Sequence, residues 1–259
     1  MKVVVGGKGG AGKTTVAAVL ARILAQRGTT VIALDGDPNP NLGIALGLGC
    51  NQTAGLDSVV NAVFKERAGG GHSDRAGRPV PDRHADELLE ELGVTAPDGV
   101  RLVQCGRIER PADGCLCCGS HITTRRMFAE FSGQGRVVIA DLEPGVNDLI
   151  WINPGSQDAV VIVTQPSRKS LEVTRRALQI ADDFSVGLTV VVANRVAGGA
   201  DMEEIRRFLP GVEVVEVPED DAVSKADAVG ESVMDLAPGC PAVQAISALA
   251  SRLVDPATG

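Results

Sequence analysis

The sequence predicts an α/β fold, a doubly wound, mostly parallel sheet of about seven or eight strands with helices on its faces. Three observations point there. Short aliphatic runs recur along the whole chain, stretches with helical apolar spacing separate most of them, and the first run ends in glycines that lead straight into a helical pattern. At 259 residues, 44% of them hydrophobic, the chain has enough apolar material to bury such a core, and 1–259 reads as a single domain.

Residues 2–6 (KVVVG) are an aliphatic run, and 14–27 bring Val16, Val19, Leu20, Ile23 and Leu24 onto one helical face. Residues 30–34 (TVIAL) return as a buried strand, so the opening reads as a βαβ unit with parallel strands. Further strands are expected at 100–104 (VRLVQ), 136–140 (RVVIA), 158–164 (DAVVIVT), 187–193 (GLTVVVA) and 212–217 (VEVVEV). Helical patterns fall at 121–131, 168–183, 201–209 and 241–254. Residues 67–84 (RAGGGHSDRAGRPVPDRH) break the rhythm with Arg, Gly and Pro and read as a flexible surface loop, with a lid or docking role as the alternative.

Charge narrows the function. Lys and Arg number 25 against 33 Asp and Glu, a net charge of −8, which disfavours nucleic acid or an anionic membrane as the main partner. Five Phe, one Trp and no Tyr are too few for base-stacking platforms. The N-terminus lacks the apolar core of a signal peptide, and no run reaches the length of a membrane span; the expectation is a cytoplasmic protein without membrane insertion. Six cysteines, three of them at Cys115, Cys117 and Cys118, point to metal or redox chemistry and not to a secreted disulfide framework.

Gly7-Lys8-Gly9-Gly10-Ala11-Gly12-Lys13-Thr14 fits G-x-x-x-x-G-K-[ST] between a strand and a helix. Its glycines turn backbone N–H groups toward phosphate oxygens and the helix N-terminus adds a positive dipole, so Gly9, Gly10, Ala11, Gly12, Lys13, Thr14 and Thr15 are expected to bind ATP. Lys13 would reach the β and γ phosphates and Thr14 would ligate Mg²⁺. The same letters satisfy G-x-G-x-x-G, with Asp35 as a ribose-holding acid, but a dinucleotide turn has no need of the Lys-Thr that follows. Asp35 and Asp37 follow the second strand at the carboxyl edge of the sheet, where one of them would orient the attacking water; turn formation is the other reading. Asp141 ends the strand at 137–140 as a Walker B acid for Mg²⁺, and the Pro144-Gly145 turn after it would sense the γ phosphate. Asn194 would read the adenine edge, with Pro218 and Glu219 after the next strand beside it; local strand termination is the alternative for both.

With its second lysine at Lys8, KGGAGKT resembles the deviant Walker A ATPases, the class that includes MinD, ParA, the arsenite-pump ATPase and the nitrogenase iron protein. That resemblance implies a P-loop NTPase fold and ATP hydrolysis, with Lys8 and Lys13 as catalytic cations. It also implies a homodimer in which Lys8 reaches the partner's nucleotide, Asp37 as the water-associated switch I acid, Asp35 near the magnesium shell, and Pro218-Glu219-Asp220 as the adenine loop. A lysine merely solvated is the other reading of Lys8.

Cys115-Leu116-Cys117 supplies half of a tetrahedral Zn²⁺ site, which a two-fold dimer would complete with four sulfurs; two buried free cysteines are the alternative. His121 is either a further ligand or the start of the next helix. Taken with DGDPNPNLGIALG, GCLCC, DLEPGVNDL and VTQPSRKSLEVTRRA, the chain is similar to the CooC-type ATPases that insert nickel into carbon monoxide dehydrogenase, from residue 2 to about 250. This implies Cys115 and Cys117 as ligands of Zn²⁺ or Ni²⁺ at the dimer interface and a carbon monoxide dehydrogenase-like client. A ParA- or MinD-like positioning switch and an iron–sulfur reductase stay open, although the last helix lacks the basic face of a membrane anchor and the two cysteines are closer together than the usual cluster pattern.

Overall fold

A computed structural model describes residues 1–68, 83–107, 116–131, 135–145 and 157–254, with backbone alone for 64–68 and 116–118. The chain begins β1 (Lys2–Gly7), α1 (Lys13–Gln26), β2 (Thr30–Asp35), the short helices α2 (Leu42–Leu46) and α3 (Gly49–Ala54), α4 (Val59–Ala68) and α5 (Ala85–Leu92). It continues through β3 (Val94–Thr95), β4 (Arg101–Gln104), α6 (Leu116–Glu130), β5 (Arg136–Asp141), β6 (Ala159–Thr164), α7 (Arg168–Asp183) and β7 (Leu188–Val196). It ends with α8 (Gly199–Phe208), β8 (Val214–Pro218), α9 (Asp221–Val229), α10 (Val233–Leu236) and α11 (Pro241–Val254).

The described strands form one eight-stranded sheet in the order β3-β4-β2-β5-β1-β6-β7-β8. Every pairing is parallel except β3 with β4. Parallel strands need helical crossovers, which cover both faces and explain why the central strands β1, β2, β5 and β6 are nearly continuous aliphatic runs, whereas edge strand β8 alternates and exposes Glu216. On β1, Val3 and Val5 face the core shared with α1 and α11, while Val4 faces the core that takes Met127, Phe128 and Phe131 of α6. Leu20, Leu24, Phe128 and Phe131 are fully buried, each stabilising the fold by roughly 1.5–3 kcal/mol through the apolar area it removes from water.

The register places the chemistry. Asp35 and Asp141 are direct partners on β2 and β5, and Val5 pairs with Asp141 on the other side, so both acids and the loop after β1 share one edge of the sheet. Gly7 closes β1 at φ +141°, where a Cβ would lie 2.2 Å from the Val163 carbonyl oxygen, so only glycine admits β6 this close.

The predicted strands all form, and the short antiparallel β3 is added to them. α2, α3 and α5 were too short for a helical period to stand out, and α9 too carried no expectation. α6 begins at Leu116 and not at 121, which corrects the expected boundary and puts Cys117 and Cys118 in the helix's first turn. Gly119 and Ser120 lower helix propensity there, but tertiary packing overrides it, since a Cβ on Gly119 would sit 3.4 Å from Val60 of α4. Positions 69–82 of the expected loop lie outside the described residues, and α4 already takes its first two positions.

Candidate nucleotide site

The loop between β1 and α1 is held by three local features. Gly10 and Gly12 adopt left-handed φ values of +75° and +96°, which turn the chain sharply before α1. Gln165, after β6, donates from Nε2 to the Gly10 carbonyl at 3.0 Å. Asn194, on β7, donates from Nδ2 to the Ala11 carbonyl at 2.8 Å. The amides at the start of α1 have no intrahelical acceptors and face a positive dipole end, the physical basis of anion binding at such a loop.

Lys13 is only 6% exposed at this end of α1. Next to it, the Thr14 hydroxyl donates to Asp141 Oδ2 at 2.6 Å. Asp141 is fully buried, and its Oδ1 has no hydrogen-bond partner among the described residues. Burial raises the Asp141 carboxyl to about 6, against the pull of the Thr14 hydrogen bond and the Lys13 charge. Burial raises Asp35 further, to about 8, and repulsion from Asp141 adds to it, although the amides of Leu42 (2.9 Å) and Asp37 (3.2 Å) bond its carboxylate. Two buried acids with one buried lysine lack positive charge, and an orphaned acceptor beside a threonine hydroxyl matches what an oxygen-seeking divalent cation requires. These residues therefore fit Mg²⁺.

The turn after β2 brings Asp37 into the same group, its Oδ1 accepting from the Asn39 amide at 2.8 Å. The turn after β5 touches the loop as well: Gly145 N donates to the Gly7 carbonyl at 3.0 Å, and a Cβ on Gly9 would lie 3.4 Å from Pro144. Lys8 is half-buried in the loop; its carbonyl accepts from Ala11 N at 3.1 Å, and its ammonium makes no hydrogen bond or ion pair among the described residues.

A cavity opens beside the loop, lined by Gly12, Thr15, Val16, Asn194, Pro218 and Glu219, so residues of the loop and the three expected at the base line the same space. Asn194 spends one amide proton on the loop, which gives it a bracing contact that the sequence does not reveal. Asp220 also lines the cavity and caps two helices, accepting from Ala222 N at 2.9 Å and Ala242 N at 3.1 Å. Desolvation acts to raise its carboxyl, but those amides hold it below the usual carboxylate range. Arg195, which also lines the cavity, sits at φ +57° in the β-bulge between Asn194 and Val196. No sequence pattern marks it; Gln165 lies in a stretch that the family likeness had singled out.

Cys115 lies outside the described residues, and for Cys117 only its place in α6 is given. Among the described residues no group of three His, Cys, Asp or Glu converges as a metal cluster. His121 falls in the second turn of α6, with Nε2 2.6 Å from Glu143 Oε2. No helix among the described residues is long and apolar enough to cross a membrane.

The carbon monoxide dehydrogenase accessory protein CooC of Rhodospirillum rubrum is 28% identical over 93% of this chain and 92% of its own. An uncharacterised ATP-binding protein of Methanocaldococcus jannaschii is 30% identical over 90% of this chain and 91% of its own. The structure of the septum site-determining protein MinD with Mg-ADP from Pyrococcus horikoshii superposes with a TM-score of 0.73 at 19% identity, over 99% of this chain and 96% of that one, and so shares its fold. The sequence pattern of the CobQ/CobB/MinD/ParA nucleotide binding domain matches residues 2–233, and the chain belongs to that family.

Proposed function

We propose that the chain is an ATPase whose two copies close on ATP, hold a metal ion between paired cysteines, and pass nickel to a metalloenzyme of the carbon monoxide dehydrogenase kind. The observation that carries the nucleotide part is the meeting, at one sheet edge, of the glycine loop, Lys13 and the Thr14–Asp141 hydrogen bond with its unsatisfied Oδ1. In this reading Gly9 to Thr15 cradle the triphosphate, and Thr14 and Asp141 hold Mg²⁺, with Asp35 behind them. The bound ion neutralises charge on the β and γ phosphates. Asp37 orients the attacking water, and Lys8, whose ammonium has no partner among the described residues, supplies its charge to the nucleotide of the second copy. Asn194, Pro218 and Glu219 hold the base. The whole of 1–259 acts as one domain, and the dimer works in the cytoplasm.

The metal part is supported by the likeness to CooC over nearly the whole chain together with the C-x-C at Cys115 and Cys117. Nickel or zinc is cargo here, and thiolates take either. Metal analysis of purified wild type with a non-hydrolysable ATP analogue tests it: one metal ion per two chains is expected, and Cys115→Ser/Cys117→Ser should carry none and dimerise less. A double variant that keeps half an equivalent per chain places the cargo elsewhere.

A further inference from the structure

Two consecutive residues of α6 reach the two turns that carry the acids. Ser120 is buried, and its Oγ donates to the Gly36 carbonyl at 2.8 Å. His121 Nε2 donates to Glu143 Oε2 at 2.6 Å. Gly36 stands between Asp35 and Asp37, while Glu143 follows Asp141 on its turn. The two turns also touch each other, because Gly36 N donates to the Asp141 carbonyl at 2.9 Å.

The contacts leave little slack. A Cβ on Gly36 would lie 3.0 Å from the Asp141 carbonyl oxygen and 3.1 Å from Thr124 Cγ2, and one on Gly106 would lie 2.1 Å from Ser120 Oγ. Farther along α6, Met127 and Phe128 are buried in the core, with Phe131 just past its end, so the helix is anchored at one end and carries the two turns at the other. Close-packed elements of this kind move as bodies and do not bend continuously.

We propose that Ser120 and His121 are positioning residues for ATP hydrolysis: α6 is the body on which both acid-bearing turns are set, and its two contacts add to the direct bond between the turns in fixing the spacing of Asp37 and Asp141. The inference rests on the nucleotide reading above. Because misplacement by about 1 Å costs up to roughly 10²-fold in rate when catalysis depends on positioning, His121→Ala should lower kcat at least about tenfold. Its Mg-ATP affinity should stay within about twofold, since neither residue lines the loop or the base cavity.

The experiment is a cycle of His121→Ala, Glu143→Ala and the double variant, with His121→Gln as the conservative replacement. Steady-state kcat is measured beside calorimetric Mg-ATP affinity and the urea midpoint. The expected result is a similar kcat loss in both single variants, no further loss in the double, and partial recovery in His121→Gln, at nearly constant ATP affinity. Ser120→Ala should show the same split through the other turn. A kcat within twofold of wild type in His121→Ala, losses that multiply in the double variant, or a fall in affinity equal to the fall in kcat would each overturn the inference. A wild type that binds no Mg-ATP fails the nucleotide reading itself, and calorimetry shows that before any variant is compared.

Discussion

Gly12→Ala is the perturbation for which the structure gives the most complete expectation. At φ +96° an L residue pays roughly 1–2 kcal/mol for the left-handed backbone. The added Cβ would also fall 2.2 Å from Asn194 Nδ2, far inside contact distance, so the Asn194 side chain must leave and its bond to the Ala11 carbonyl is lost. That bond is worth about 1 kcal/mol. Gly12→Ala should therefore lower stability by about 2–3 kcal/mol, and Asn194→Ala alone by about 1 kcal/mol. The double variant should cost no more than Gly12→Ala, because the same hydrogen bond is lost in both, and the coupling of about 1 kcal/mol is readable by urea denaturation of the nucleotide-free protein. Calorimetry on the same samples should show a loss of at least about tenfold in Mg-ATP affinity for Gly12→Ala, about 1.4 kcal/mol. Strictly additive stability losses, or an ATP affinity within twofold of wild type, would refute the claim that this glycine sets the loop through Asn194.

Mg-ATP binding should release protons and tighten as pH rises from about 6 to 8, because Asp141 and Asp35 titrate near 6 and 8 when folded and must ionise to hold the cation. The sign for folding is the opposite: these acids bind protons more tightly folded than unfolded, so the nucleotide-free protein should lose stability from about pH 4 upward through that range, as calorimetry in buffers of different ionisation heat and urea midpoints against pH will measure. Asp220→Ala removes the caps of α9 and α11 together and should cost about 2 kcal/mol in urea denaturation; since the Asp220 carboxyl is depressed when folded, its contribution should be present above about pH 4 and fade in acid. Lys8→Ala should bind nucleotide as wild type does but sediment with a smaller dimer fraction in the presence of a non-hydrolysable ATP analogue, and an unchanged dimer constant would reduce Lys8 to a surface charge.

The parallel sheet was legible because each buried strand is an aliphatic run that ends in a turn at the same edge, and KGGAGKT between a strand and a helix carries its own mechanism. Asp35 and Asp141 were found as strand-end acids, but their pairing across β2 and β5 depends on register, which no local pattern states. Gln165 and Arg195 were missed as loop and cavity residues, and Asp220 was placed in the adenine loop without its capping of α11, for a related reason: each depends on a partner more than twenty positions away or on a backbone bulge. The first turn of α6 was hidden by Gly119 and Ser120, whose weak helix propensity gives way to packing on α4 and to the Gly36 contact.

In the proposed site the buried acid at the end of β5 and the lysine of the loop hold Mg²⁺ and nucleotide together. Calorimetric titration of ATP into wild type, Lys13→Ala and Asp141→Asn, each with Mg²⁺ and with a chelator, tests it most directly. Wild type should bind tightly only with Mg²⁺; Lys13→Ala, which removes the buried cation of the loop, should lose about 10²-fold or more; and Asp141→Asn should show an ATP affinity that no longer responds to Mg²⁺. Equal affinity in wild type and Lys13→Ala, or an undiminished Mg²⁺ response in Asp141→Asn, would contradict it.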